Sequence, residues 1–297
     1  MYELPGVYEH IGKFSEPKDV FDYFLSFGCD GQYYFRGINN QIQKFPSIMR
    51  VENKHGKDKI DLSSQEVRLL NGFFGYGSSF VSGINDPIDC IAYSQHYGLP
   101  TRLVDWTRNP FVALFFAIYY AGIDKSSSVL IVETKNIIKI DTTSFLMSHP
   151  ELKFKNGDPV YSFINLCEQI KENKFFDIYE RRLLEEETDE GTKSYLLRDM
   201  KRKIMSNEMI FFDSRYTNKR LASQDGVFYI PKVLSANNIK LEYKKSKVKE
   251  VKIDPEFNKN LLTLLENIGI SKCKLFFDPV SISEYVKEMV IDLNRDI

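Results

Sequence analysis

The chain has 297 residues, with 40 Lys+Arg against 41 Asp+Glu and a formal net charge of -1. That balance excludes a globally basic nucleic-acid binder, and 43% hydrophobic with 27% charged residues excludes a chain too polar to fold. Aromatic residues reach 14%, with 23 Phe and 17 Tyr, enough to fill a sizeable core.

In chain order, Val20, Phe21, Tyr23, Phe24 and Phe27 fall at helical spacing and predict a helical lead before Gly31. Residues 32–37, Gln-Tyr-Tyr-Phe-Arg-Gly, read as a half-buried strand ending at a glycine. A helix is expected over Leu62 to Phe74, capped by Ser63 or Ser64 with Glu66 in its first turn, followed by a flexible Gly-rich loop at 74–79. Asp86-Pro87 opens a second helix through His96. Asn109-Pro110 opens a third that is apolar nearly all round and so should be buried. On it Ala113, Ala117 and Ala121 recur every fourth residue and give one side a thin profile for close approach.

Residues 128–133, 209–212 and 226–230 read as strands, and 240–253 as a half-exposed strand that alternates Lys with apolar residues. Residues 261–268 and 282–293 read as helices, and 273–277 as a short strand or turn. The stretch 163–205 reads as a charged, helical, exposed elaboration centred on Glu180 to Glu187. Helices and strands mix without regular alternation, which predicts an α+β fold with a mixed or antiparallel sheet and packed helices. No linker divides the chain, so one domain over 1–297 is expected, with its core at about 21–288. Cys29, Cys90, Cys167 and Cys273 stand far apart and read as reduced thiols. Met1 to Gly6 lacks the basic and apolar regions of a signal peptide, and the apolar stretch 111–123 is shorter than the ~20 residues of a membrane span. A cytoplasmic protein with no membrane partner is expected.

Four segments concentrate polar side chains beside apolar ones. Arg36 ends an aromatic strand next to Gly37, where a guanidinium fork could meet a ligand; the bland alternative is an edge-strand Arg before a turn. Gln95, His96, Tyr97, Thr101, Arg102, Asp105, Trp106 and Thr107 crowd one run, which holds the only Trp and ends at the Asn109 helix. The N–H groups of that helix start favour an anion, while the structural alternative pairs Arg102 with Asp105 and buries Trp106. Arg220, Gln224 and Asp225 precede the strand at Gly226, and Arg50 could bring a second guanidinium to the same place. No metal-ligand set, P-loop, G-x-G-x-x-G or G-x-S-x-G is present.

Phe35-Arg36-Gly37, residues 45–50 (Phe-Pro-Ser-Ile-Met-Arg), residues 95–107 and Asn109-Pro110 with Ala113 to Ala117 resemble the FRG domain, a family named for its Phe-Arg-Gly motif. Its later Arg and Gln-x-Gly-x-Phe motif resembles Arg220 with Gln224 to Phe228, and its C-terminal part resembles Val251 to Phe277. Here the last turn reads Leu275-Phe276-Phe277-Asp278, without the usual Pro. The resemblance implies bacterial and phage-related settings and a site converging from all four segments, but no particular reaction.

The order of elements is similar to that of an ADP-ribosyltransferase core. This implies a cofactor role for NAD, with Arg36 holding the pyrophosphate, Thr101 or Thr107 on a Ser/Thr strand, and Trp106, Tyr97 or Phe35 stacking on nicotinamide. Gln224 would take the last catalytic position, where a carboxylate works best, so Asp105 or Asp225 would supply the charge. The settings of the FRG family imply a role in phage defence or toxicity. The alternative is a binding module for a phosphate-bearing small molecule, a nucleotide or nucleic acid, through Arg36, Arg102 and Arg220 with Tyr97 and Trp106 stacking. A third reading is nucleic-acid cleavage, with His96 as general base or acid and Arg102 stabilising the phosphorane.

Overall fold

The computed structural model describes residues 14–28, 31–51, 61–77, 84, 86–119, 121, 127–141, 159–172, 180, 189–213, 219–276 and 278–293. Seven strands join one sheet: β1 Tyr33–Ile38, β2 Val104–Thr107, β3 Ser127–Glu133, β4 Ile138–Asp141, β5 Ile210–Asp213, β6 Gly226–Tyr229 and β7 Lys249–Ile253. Their spatial order is β4-β5-β6-β2-β1-β3-β7. Only β4 and β5 run parallel; every other pairing is antiparallel. The architecture is α+β, a mixed sheet with packed helices.

The described helices are α1 Pro17–Leu25, α2 Leu62–Gly77, α3 Pro87–His96, α4 Pro110–Tyr119, α5 Pro159–Lys171, α6 Glu190–Met205, α7 Lys219–Ser223, α8 Ala236–Lys245, α9 Asn258–Asn267, α10 Lys272–Phe276 and α11 Pro279–Leu293. Among the described residues no helix is long and apolar enough to cross a membrane. The alternation of strand side chains sorts the core into three groups. Phe35, Val129, Ile131, Val251 and Ile253 meet α1, α4, α9 and α10 on one face. On the same face, over the other half of the sheet, Phe212 and Phe228 meet α2, α3, α5 and α6. The opposite face, with Tyr34, Trp106, Leu130, Phe211 and Tyr229, is closed by Ile239 and Tyr243 of α8. Two helix groups therefore share one face of the sheet. Asp105 and Thr107 of β2 lie on that face between them, since β2 pairs with β1 on one side and β6 on the other.

Helix starts follow the local chemistry. Asp86 accepts from the N–H groups of Ile88 (2.8 Å) and Asp89 (3.3 Å) at the start of α3. Asn109 accepts from Phe111 (3.0 Å) and Val112 (3.4 Å) at the start of α4. At α2 the acceptor is Asp61, which takes the Ser64 N–H at 3.0 Å, and not the expected Ser63 or Ser64. Helix α2 also continues through Gly77, so the loop expected from residue 74 is helical up to that point; Ser78 and Ser79 lie outside the described residues.

Three further expectations change. Residues 240–245 are helical, because Ser235 caps α8 and Ile239, Glu242 and Tyr243 bury one face at helical spacing. Residues 272–276 form the short helix α10 in place of a strand or turn. The stretch 163–205 is not merely an exposed elaboration: Phe163, Leu166, Cys167 and Ile170 of α5 and Met200 and Ile204 of α6 are core residues. Its charged centre, residues 181–187, lies outside the described residues.

The thin side of α4 meets β1 at Gly37. A Cβ there would stand 2.0 Å from the Ala113 carbonyl oxygen and 2.5 Å from the Ala117 nitrogen, both backbone atoms that cannot move aside. Gly37→Ala is expected to destabilise the protein by about 2–4 kcal/mol in urea unfolding. Gly72→Ala, on exposed helix with nothing within 4 Å, is expected to stabilise it by about 0.5–1 kcal/mol.

Candidate functional site

Between the two helix groups, over β1 and β2, lies a cavity of about 590 Å³. Its floor follows from the strand pairing. β1 and β2 pair at one position, Phe35 with Thr107. β1 continues against β3 through six registered pairs, so the sheet holds on one side of β1 and opens on the other. Arg36 bridges the opening: Nη1 donates to the Asp105 carbonyl, and Nη2 to the Gln43 carbonyl at 3.0 Å. The expected ligand fork is thus also a clamp on the main chain.

The 3₁₀ turns Gln41–Lys44 and Ser47–Arg50 form one wall. Lys44, 1% exposed, pairs with Glu250 of β7 at 2.8 Å, and Tyr243 donates to the Lys44 carbonyl at 2.8 Å. Ser47 is tied to Thr101 in both directions: its hydroxyl donates to the Thr101 carbonyl (3.0 Å) and accepts the Thr101 N–H (2.9 Å). These ties carry Gln43 and Arg50 to the cavity. Arg50 is exposed and forms no ion pair or hydrogen bond among the described residues. Burial of its surroundings and the like charge of Arg36 lower its pKa, which Asp105 partly offsets.

A polar chain fixes Asp105. The Thr101 hydroxyl donates to Gln95 Oε1, and Gln95 Nε2 donates to both carboxylate oxygens of Asp105 at 2.9 Å. Asp105 remains exposed. His96 closes the next stretch of wall. Arg220 Nη1 meets His96 Nδ1, which makes Nδ1 the acceptor and puts the ring proton on Nε2. Burial, then the Arg220 charge, holds the His96 pKa below its ordinary 6.5, against the opposing pull of Asp278 and Asp105. The Arg220 guanidinium also lies 4.8 Å over the Phe276 ring.

Gln224 lines the cavity with its side chain anchored, Nε2 donating to the Leu275 carbonyl at 3.0 Å. Its own carbonyl accepts the Thr107 hydroxyl at 2.6 Å, which joins the end of β2 to the start of β6.

Arg36, Gln95, His96, Asp105, Trp106, Arg220 and Gln224 all line this cavity. Thr101 and Arg102 do not. Thr101 is wholly buried and acts on Gln95. Arg102, 8% exposed, lies under α2, where Glu66 takes its Nε and its backbone N–H, each at 2.6 Å. Its counter-charge is therefore Glu66 and not Asp105, and no guanidinium remains there for a phosphorane. Asp225 is also drawn away, into a pair with Arg108 at 3.2 Å.

Of the three aromatic rings expected to stack on nicotinamide, Phe35 (0% exposed) and Trp106 (2%) are core residues. Tyr97, 59% exposed, offers its face beside His96 and Tyr93. Sequence reasoning passed over Gln43, Tyr93, Lys219 and Asp278 on the cavity wall, and Glu66 beneath it. Glu66 was legible only as a first-turn carboxylate. Among the described residues no group of His, Cys, Asp and Glu is placed to hold a metal.

Residues 31–125 match the model of the FRG domain. The chain carries an FRG domain. The matched residues supply Arg36, Arg50, Gln95, His96 and Asp105, whereas the second wall of the cavity, with Arg220, Gln224 and Asp278, comes from beyond the match. Neither the search of curated proteins nor that of solved structures finds a match.

Two outcomes are expected. In an NMR titration His96 should have a midpoint below 6.5, and Arg220→Met should raise it by removing the neighbouring cation. By linkage, below pH 6.5 the unfolded chain takes up a proton that folded His96 resists, so this residue's contribution to stability falls as pH drops towards the folded midpoint. Glu66→Ala should destabilise the fold by about 3–5 kcal/mol in urea unfolding, because Arg102 would be buried without its partner.

Proposed function

We propose that the cavity binds a phosphate-bearing nucleotide and that its substrate is NAD, cleaved at the N-glycosidic bond by an ADP-ribosyltransferase-like reaction. The carrying observation is the placement of charge. Among the described residues Arg36 is held by main-chain carbonyls and Arg50 by no hydrogen bond or ion pair, so two guanidiniums at the cavity have no carboxylate bound to them. An anion is what such a pair attracts, and a phosphate or pyrophosphate matches guanidinium geometry. The cavity volume of about 590 Å³ lies within the usual range for ligand sites.

Asp105 then has a role. When the bond between C1′ and the nicotinamide nitrogen breaks, nicotinamide leaves with the electron pair and positive charge develops on the ribose. A carboxylate already oriented by Gln95 and Thr101 stabilises that charge without reorganising. Water or an acceptor group adds at C1′ and loses its proton. Tyr97 provides the exposed ring for base stacking. Gln224, neutral and anchored on Leu275, positions the wall in place of a catalytic carboxylate. NAD depletion would suit a role in phage defence or toxicity.

One observation favours the alternative of a non-catalytic nucleotide or nucleic-acid binding module: the late catalytic position, where a carboxylate would work best, is the neutral Gln224 here. The reading with His96 as general base is weaker, because Nδ1 is engaged and Nε2 carries the proton.

The test is nicotinamide release from NAD by purified protein, alone and with cell lysate as a source of acceptors. Asp105→Asn is expected to lower turnover 100-fold or more, as loss of an electrostatic stabiliser does, with binding of ADP-ribose retained. Arg50→Met is expected to raise KM about tenfold or more. Binding of ADP-ribose without any NAD turnover would establish the binding module instead.

A further inference from the structure

Resting on the reading that the cavity takes NAD, we propose that His96 is a specificity-determining residue that donates its Nε2–H to the carboxamide oxygen of the nicotinamide.

The ring is set up as a donor by what lies behind it. Arg220 Nη1 meets His96 Nδ1, and a guanidinium only donates, so the ring proton sits on Nε2. Arg220 is itself steadied by Phe276, whose ring centroid lies 4.8 Å from the guanidinium. Nε2 has no partner among the described residues, and it is not one of their buried orphaned atoms, so it keeps accessible surface. His96 is half-buried and lines the cavity, which makes this N–H a donor open to a ligand.

The charges around the ring decide what it can do. Burial and the Arg220 charge disfavour an imidazolium, against the weaker pull of Asp278 and Asp105. A neutral ring with Nδ1 engaged does not carry protons; it is a fixed donor. The wall it belongs to is balanced in charge, with Lys219 and Arg220 set against Asp105 and Asp278. Arg36 and Arg50 draw the phosphates, whereas a balanced wall with one neutral donor suits an uncharged carbonyl. Tyr97, next in the chain, is 59% exposed and stands edge-on to His96, with ring centroids 4.8 Å apart. A stacking face and a donor side by side are what an aromatic amide needs.

The same contact assists cleavage. As the bond from C1′ breaks, its electron pair goes to the pyridine nitrogen and the pyridinium becomes neutral nicotinamide. Electron density at the carboxamide oxygen rises, so the hydrogen bond from His96 strengthens as the leaving group departs, with no proton transferred.

The experiment titrates the full chain, carrying isotope-labelled histidine, with nicotinamide, with 3-acetylpyridine, which keeps the carbonyl oxygen, and with 3-ethylpyridine, which has none. NMR follows the His96 Nε2 nitrogen, identified among the four histidines by its loss in His96→Gln. Calorimetry with ADP-ribose runs beside it. Nicotinamide and 3-acetylpyridine are expected to shift Nε2, and 3-ethylpyridine to leave it in place. His96→Phe is expected to weaken nicotinamide binding and to lower NAD turnover, each about tenfold, and His96→Gln, which keeps an N–H, to restore most of both.

Nicotinamide that binds while Nε2 stays fixed, or a shift of equal size with 3-ethylpyridine, would overturn the assignment. So would ADP-ribose binding without any nicotinamide binding, and the nucleotide reading would then stand alone. A carbonyl-dependent shift with no ADP-ribose binding and no NAD turnover would keep the His96 donor and remove the NAD reading. The titration of the unaltered chain decides the matter even where His96→Phe fails to fold.

Discussion

Strands β1 and β2 meet at Phe35 and Thr107 and then part, while β1 stays fully paired to β3. A sheet that opens between two central strands exposes main-chain groups that must find partners. Arg36 supplies them, with one guanidinium nitrogen on the Asp105 carbonyl of β2 and another on the Gln43 carbonyl. The opening is therefore held at a defined width by a charged side chain, and the cavity stands over it. The three residues of the Phe-Arg-Gly motif each have a separate physical task here. Phe35 anchors the strand in the core under α4, Arg36 ties the opening, and Gly37 lets the α4 backbone approach closer than any Cβ would permit.

Charge around the opening is sorted by burial. Arg102 and Arg108 also lie near the ends of β2, yet each is neutralised by carboxylates: Glu66 under α2 for the first, Asp213 and Asp225 for the second. Lys44 is likewise cancelled by Glu250. At the cavity, Arg36 and Arg50 have no carboxylate bound among the described residues, Lys219, Arg220 and Asp278 belong to the second wall, and Asp105 is held in place by two hydrogen-bonded side chains behind it. The proposed ligand site rests on that arrangement, in which an oriented carboxylate and two guanidiniums line one cavity without forming the direct ion pairs of a structural network. The wall is completed by α7 and the start of α11, and Ser223 and Gln224 tie the end of α7 to the Leu275 carbonyl of α10.

Much of this was legible in the residues. Pro after Asp86 and after Asn109 marked two helix starts, because a side-chain acceptor and a fixed φ act locally. The Ala113, Ala117 spacing on α4 marked a close approach, although Gly37 as the residue approached was not evident. The clustering of Gln95, His96, Asp105, Trp106, Arg220 and Gln224 around one cavity could be anticipated from residue type and from the family pattern. The Lys-apolar alternation of residues 240–245 imitates a strand, whereas burial at positions 239, 242 and 243 follows a helix. Strand β4 passed unnoticed, since Ile138 to Asp141 is too short to show a period and gains its place only by pairing with β5.

The sequence by itself determined the mixed helix and strand content, the starts of α3 and α4, the thin side of α4 and the set of polar residues from which a site would be drawn. All of these depend on neighbours a few positions apart along the chain. Tertiary structure alone decided which arginine is neutralised, since Glu66 is 36 residues from Arg102 and Glu250 is 206 from Lys44. It also decided that Trp106 faces the core with an unpaired N–H while Asp105 beside it faces the cavity. A strand sends successive side chains to opposite faces, and only the packing of α8 on one side and the gap between helix groups on the other made one face a core and the other a site.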